Sequence, residues 1–282
     1  MTTASRAHPI GHRYFYTVTL MLGIVFAAGS AQAGSLDGIR ARHTLLVGVK
    51  ADYRPFGFRD NAGTIVGFEP DLAREVASAL GVSLKLVPVV ASDRIPMLVA
   101  GDLDLVIATM NVTPERRKQI DFVEPNYYAS GVNVLAPKSS HLHVWQQLRG
   151  KPVCSVKGAF YLTEIEDRYV PELHTYKDTG EVYKAVKAGD CVAVYDDAAI
   201  IGQLQTAAWQ DYEMPLRSVL VQPWGIAVKQ GNTELAAFVG ELVKKWHRTG
   251  HIEELEQAWH IPPSAFAEEM HRRYADDDGR RR

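Results

Sequence analysis

The sequence predicts an α/β protein of two lobes, each a mainly parallel sheet flanked by helices. Strands and helices alternate in the order βαβαβ between Leu45 and Ile107. After a polar, linker-like stretch, His141–Arg149, the alternation restarts at Val153. A strand that returns parallel to its neighbour needs a crossover, and a helix packed on the sheet supplies it. Two such series in one chain predict two lobes.

The elements follow in order. Leu45–Val49 is an apolar strand, and Pro70–Leu80 is a helix with proline at its first position and Gly81 just past its end. Val82, Leu84 and Leu86 alternate with polar residues as a strand does. Ile95–Ala100 reads as a short helix and Leu103–Ile107 as the next strand. The second series runs strand Val153–Val156, helix near Ala159–Tyr169, strand Glu172–Tyr176, helix Gly180–Ala188, strand Cys191–Tyr195. Trp224–Val228 is a further strand. Leu235, Phe238, Val239, Leu242, Val243 and Trp246 then fall at helical spacing, a core-facing stripe. Beyond Ile261 the chain turns charged and ends Asp-Asp-Asp-Gly-Arg-Arg-Arg, which predicts a disordered tail over 266–282.

Ahead of the first lobe, Arg6 and Arg13 precede the apolar run Val18–Ala28 and the small-x-small site Ala31-Gln32-Ala33. That is the pattern of a secretory signal peptide over 1–33, cleaved after Ala33. The apolar run is short for a membrane span of ~20 residues. Cleavage leaves 249 residues, and because the removed segment carries two arginines and no acid, the formal charge becomes −4 rather than −2. Mild acidity argues against nucleic acid or an anionic membrane as partner. The two cysteines, Cys154 and Cys191, each lie at a short apolar strand, and an oxidising compartment permits a disulfide between them. The alternative is two buried thiols. Without clustered histidines they do not make a zinc site. His141 and His143 stand in the polar linker and His247 and His251 flank Gly250, positions that predict solvated histidines rather than metal ligands.

The most informative segment is Ala108-Thr-Met-Asn-Val-Thr-Pro-Glu-Arg116. A buried strand that stops at small and hydroxylated residues leaves backbone groups free at its carboxyl end, where open α/β sheets bind ligands. Thr113 then caps a short helix with Pro114 at its first position, which fixes where Arg116 points. A guanidinium so held can grip a small carboxylate with two parallel hydrogen bonds, though a surface arginine on a capped helix fits the same fragment.

Five segments follow in order: Gly48-Val-Lys-Ala-Asp-Tyr-Arg-Pro-Phe56, Gly63-Thr-Ile-Val-Gly-Phe-Glu-Pro-Asp-Leu-Ala73, Gly101-Asp-Leu-Asp-Leu105, Thr113-Pro-Glu-Arg-Arg117 with Asp121-Phe122, and Gly189-Asp-Cys-Val-Ala-Val-Tyr-Asp-Asp197. Taken together, they resemble the bacterial solute-binding proteins of family 3, the amino-acid receptors of ABC importers. Each is weak alone; their order and spacing carry the resemblance.

The resemblance implies a two-lobe periplasmic clamp of type II. Lobe I would be discontinuous, 40–134 plus 226–265, with lobe II at 135–225. The clamp would close on a free amino acid. Arg116 would grip its α-carboxylate, helped by Ala108, Thr109 and Asn111, while Asp197, favoured over Asp196 by counting from Gly189, would receive the ammonium group. Tyr53 matches an aromatic that covers the ligand, and Lys50 stands where some glutamate/aspartate-binding relatives place a basic residue. Arg94 is a second candidate for lining the cleft. One departure is Gly158-Ala159-Phe160-Tyr161, where the family's usual hydroxyls give way to aromatics, so that Phe160 would border the ligand. A buried zwitterion needs both charges paired, which gives this arrangement a physical logic of its own.

The expected partners are a free polar amino acid, glutamate or aspartate first, and an ABC permease of the inner membrane. The protein is expected to be periplasmic and monomeric, with no cofactor, metal or catalytic residue. Two alternatives stand beside this. One is an enzyme resembling cyclohexadienyl dehydratase, for which a carboxylate such as Glu164 would serve as general acid. The other is a freestanding amino-acid sensor.

Overall fold

The computed structural model describes residues 35–279 together with the first two residues. Apart from those two, the predicted signal peptide lies outside the described residues, as do the last three residues of the chain. Two mixed sheets belong to one compact unit. The first has five strands in the order Ser83–Pro88, Thr44–Val49, Leu105–Val106, Ala227–Lys229, Ile120–Phe122. Its first two pairings are parallel and its last two antiparallel. The second has six: Glu172–Tyr176, Pro152–Val156, Val192–Asp196, Tyr128–Pro137 and Tyr212–Glu213 in that order, with Val219–Trp224 also paired to the long strand Tyr128–Pro137. The βα series supply the parallel pairs. The strands by which the chain crosses between lobes supply the antiparallel ones.

Those crossings move the first of the expected lobe boundaries. Tyr128–Pro137 pairs wholly within the second sheet, so the chain leaves the first lobe between Phe122 and Tyr128 rather than at 134. It returns between Trp224 and Ala227. The two crossing segments run side by side, Tyr127 N–H to Trp224 O at 3.2 Å and Val123 N–H to Ile226 O at 2.8 Å. Phe56, Phe68, Tyr128 and Trp224 pack around them with ring centroids 4.9–5.5 Å apart. Offset and edge-to-face contacts between such rings add to their area burial, giving the hinge a solid base. The two separate series of strands and helices therefore do become two lobes, hinged by a pair of adjacent segments.

Local chemistry explains most helix ends. Phe68–Leu80 begins under the Pro55-Phe56 loop, with Phe68 and Glu69 N–H donating to the Pro55 and Phe56 carbonyls. Gly67 makes this approach possible: its φ is +136°, and a Cβ there would stand 2.5 Å from Phe56 O. The result drives Glu69 into the core. Asp178 caps Thr179–Ala188 by accepting from Glu181 N–H at 3.0 Å. The stripe predicted after Asn232 forms Thr233–Thr249, with Leu235, Val239, Val243 and Trp246 buried. A small sheet, Asp52–Tyr53, Gly57–Arg59 and Ile65–Val66, was not legible as strands because each is only two or three residues long.

Two further expectations change. The charged tail is a helix, Ala265–Gly279, not a disordered segment. Ala267 and Met270 are buried, and Tyr274 stacks on His247 at 5.7 Å, so the few apolar residues among the charges are spaced to dock one face. His247, expected to be solvated, is buried beneath that helix with Nε2 2.8 Å from Asn126 O, and burial lowers its pKa. His251 is partly buried and pairs with Glu75 and Glu254. Cys154 and Cys191 form a disulfide, Cα to Cα 5.7 Å, that ties neighbouring strands of the second sheet. Among the described residues, no helix is long and apolar enough to cross a membrane.

Candidate functional site: a charged cleft between the lobes

The carboxyl ends of both sheets meet over the hinge. Lys50 follows the strand Thr44–Val49, Thr109 and Asn111 follow Leu105–Val106, and Asp196 ends Val192–Asp196. Together with Tyr53, Ala91, Arg94, Val156, Ala159, Tyr161 and Tyr195 they line one cavity. Its free volume is about 20 Å³, the space of roughly one water. The lobes are closed: Tyr53 OH donates to Asp196 Oδ2 at 2.8 Å, Thr179 N–H to Asp52 Oδ2 at 2.8 Å, and Arg116 to Gly158 O at 3.2 Å, each across the gap. A ligand of amino-acid size enters only when they part. Of the larger grooves, those of about 300 Å³ beside Lys229–Glu234 and about 590 Å³ between the hinge and the last helix gather none of the residues predicted for the site, and one of about 280 Å³ gathers only Asp197 of them.

The first lobe holds the cations. Arg94 is buried, with NH1 donating to Ala108 O at 2.7 Å and Thr109 O at 3.1 Å and Nε to Ala91 O at 3.1 Å. Burial lowers its pKa, and the charges of Asp196 and Glu69 oppose that. Thr113 caps its helix as expected, accepting from Arg116 N–H at 3.3 Å. Arg116 borders the cavity rather than lining it: NH1 donates to Asn111 O at 2.8 Å and NH2 to Gly158 O in the other lobe. Burial and the neighbouring Arg94 depress its pKa to about 9.

Thr109 has φ +48°, a sparsely populated conformation that is rarer still for a β-branched residue. It is clamped from both sides. Its N–H donates to Glu69 Oε1 at 2.6 Å, Arg94 holds its carbonyl, and Tyr127 OH also donates to Glu69. Glu69, fully buried, has its pKa raised to about 7 by desolvation, against the hydrogen bonds from Tyr127 and Thr109.

The second lobe answers with one carboxylate and several phenols. Asp196 is 7 % exposed. Its pKa rises to about 7, chiefly through burial and secondarily through Asp197, while Tyr53, Arg94 and Arg116 pull it down. Asp197, the residue favoured by counting, turns the other way: Ser130 Oγ and Gly131 N–H donate to its Oδ1. Phe160 likewise stays in its own lobe, edge-on to Tyr161 at 5.3 Å, while Ala159 and Tyr161 face the cavity. Tyr161 OH lies 3.2 Å from both Ser155 Oγ and Val194 O. Ala108 is buried and contributes its carbonyl to Arg94. Lys50, 2 % exposed, sits 2.8 Å from Asp52 Oδ1, close enough for an ion pair but not aligned for a hydrogen bond.

Glu69, Asp52, Tyr161 and Tyr195 were missed by sequence reasoning. Asp52, two residues beyond Lys50 in an extended segment, was within reach of it, since such residues share a face. Glu164, the candidate general acid, is exposed on the helix Leu162–Tyr169 and pairs with Arg168 at 3.1 Å, away from the cleft. Among the described residues no group of three or more His, Cys, Asp or Glu could hold a metal.

Two hinged α/β lobes closing over a cleft of buried, opposed charges define a type II binding-protein clamp, a machine for enclosing a small polar solute. The chain belongs to the bacterial extracellular solute-binding proteins, family 3, whose model matches residues 45–262. It is 31% identical over 240 residues to the glutamine-binding protein of an ABC transporter in Bacillus subtilis, covering 83% of this chain and 87% of that one. To the L-cystine-binding protein of Escherichia coli K12 it is 27% identical over 232 residues, 81% and 87% of the two chains. Among solved structures, holo ArgBP from T. maritima superposes with a TM-score of 0.72 at 29% identity, covering 79% of this chain and 99% of that one. An ancestral amino acid-binding protein, a precursor of cyclohexadienyl dehydratase, gives 0.71 at 29% identity, covering 79% and 98%. Both curated relatives are named as binding proteins.

Proposed function

We propose that the chain captures one free amino acid with a polar side chain and delivers it, as a periplasmic monomer, to an ABC permease of the inner membrane. One observation carries this reading. Asp196 Oδ1, Asn111 Nδ2 and Lys50 Nζ are buried, line the same cavity and lack a hydrogen-bond partner among the described residues. Buried polar atoms are normally satisfied, so an acceptor and two donors around one cavity mark a place built for a polar solute. An α-ammonium group suits Asp196, and an α-carboxylate suits Arg94 and Arg116 once Arg116 leaves the carbonyls it now holds. Relatives named for glutamine, cystine, arginine, histidine and glutamate/aspartate support the amino-acid class.

The side chain would extend toward Lys50. Lysine on its own favours glutamate or aspartate by charge complementarity. The Lys50–Asp52 ion pair favours a second reading, a neutral amide such as glutamine, because the cation is already compensated. Equilibrium dialysis of the mature protein against each radiolabelled amino acid tests the class. Saturable one-to-one binding of a polar amino acid is expected; retention of none of the set would overturn the reading.

A further inference from the structure

We infer that Asp52 decides between these two side chains, and that it selects the amide over the acid; the inference rests on the amino-acid reading of the cleft. Asp52 Oδ2 accepts from Thr179 N–H at 2.8 Å, at the start of the helix Thr179–Ala188 in the opposite lobe. Closure therefore fixes the carboxylate and leaves Oδ1 toward Lys50 at 2.8 Å. Both Lys50 Nζ and Asp52 Oδ1 are buried without a hydrogen bond, so a donor and an acceptor stand side by side. A carboxamide fits that pair: its oxygen accepts from Lys50 and its NH2 donates to Asp52. A ligand carboxylate offers two acceptors and no donor. It would leave Asp52 Oδ1 without a hydrogen-bond donor and put a second negative charge beside the first, with one lysine between them. Sites that hydrogen-bond a particular donor reject the analogue lacking it more strongly than apolar pockets reject a missing methylene.

The test is the ratio of dissociation constants for amide and acid, glutamine over glutamate and asparagine over aspartate, in the mature protein and in Asp52→Asn. The variant removes the charge but keeps an oxygen for Thr179 N–H. The wild type is expected to bind one amide at least about tenfold tighter than the matching acid. In Asp52→Asn that ratio should shift by about tenfold or more toward the acid, with little change in melting temperature. The wild-type ratio needs no variant and decides by itself if Asp52→Asn fails to fold. A wild-type preference for the acid, or for a cationic side chain, overturns the inference and leaves the polar amino-acid reading standing. So does an equal loss for both ligands in Asp52→Asn, which marks Asp52 as a closure contact alone. Failure of every amino acid to bind overturns both.

Discussion

The two walls of the cleft hold charge in different ways. The first lobe presents Lys50 just past a strand and Arg94 and Arg116 on short helices, each tied to nearby backbone carbonyls or to Asp52. The second presents Asp196 at the end of a strand, with Tyr161 and Tyr195 as neighbours. A guanidinium has length and several donors, so its reach tolerates a shift of its anchor. A short carboxylate does not: Asp196, the last residue of its strand, faces the cleft, whereas Asp197 opens the helix Asp197–Leu204 and is bonded to Ser130 and Gly131 instead.

The sharpest way to break this comparison is to exchange the two aspartates' roles. Asp196→Asn should cost amino-acid binding about 2–5 kcal/mol, the scale for truncating one partner of a buried charge pair. Asp197→Asn should leave affinity within a few fold and instead lower the melting temperature, since it disturbs the anchor of Ala198 and Gly131. Calorimetric titration and a melting curve on each variant separate the two. Equal affinity losses would erase the distinction between the two aspartates.

Next in size is the disulfide, which belongs to the second lobe alone. Cys154–Cys191 closes a loop of 37 residues of sequence separation. Its reduction should destabilise the protein by about 4 kcal/mol in the chain-entropy picture while affinity falls much less. Chemical denaturation with and without reductant checks this, and an unchanged midpoint would contradict it.

Acidity gives a third, smaller effect. Asp196 and Glu69 both titrate near 7 in the folded protein because burial disfavours their charged forms. Folding raises both values, so without ligand these groups lower stability as pH climbs from the ordinary carboxylate range to about 7. Ligand binding has the opposite sign through Asp196, because an ammonium group needs the ionised carboxylate. Affinity should therefore fall below about pH 7, by up to about tenfold per unit. A flat affinity between pH 5 and 8 would mean that Asp196 does not meet the ammonium. Smallest of all, Tyr161→Phe, which removes a buried hydroxyl beside Val194 O, should cost about 1 kcal/mol of stability, and Phe160→Ala should leave affinity nearly unchanged.

The same contrast explains what could be read from the chain. Elements written in periodicity and caps came through: Phe68–Leu80 closed by Gly81, Thr179–Ala188 within a residue of its expected start, and Thr113 before Arg116. Their signals lie within one turn of backbone. The lobe crossing did not, because Tyr128–Pro137 is a long apolar strand whose membership depends on which distant edge it pairs with. Ala265–Gly279 was hidden by its charges, since docking needs only the few apolar positions that meet Thr233–Thr249. In the site, the cations of the first lobe were legible from motif and cap. Glu69 beneath Thr109, and Asp52 beside Lys50, emerge only when separate segments are folded against each other.

The most direct measurement is the melting temperature of the mature protein across the free amino acids, repeated on Asp196→Asn. A ligand that binds only the folded state raises stability as its concentration passes the dissociation constant. A polar amino acid should raise the wild-type melting temperature and leave Asp196→Asn unmoved. A shift that survives in Asp196→Asn, or no shift from any amino acid, would contradict a cleft that closes on a zwitterion.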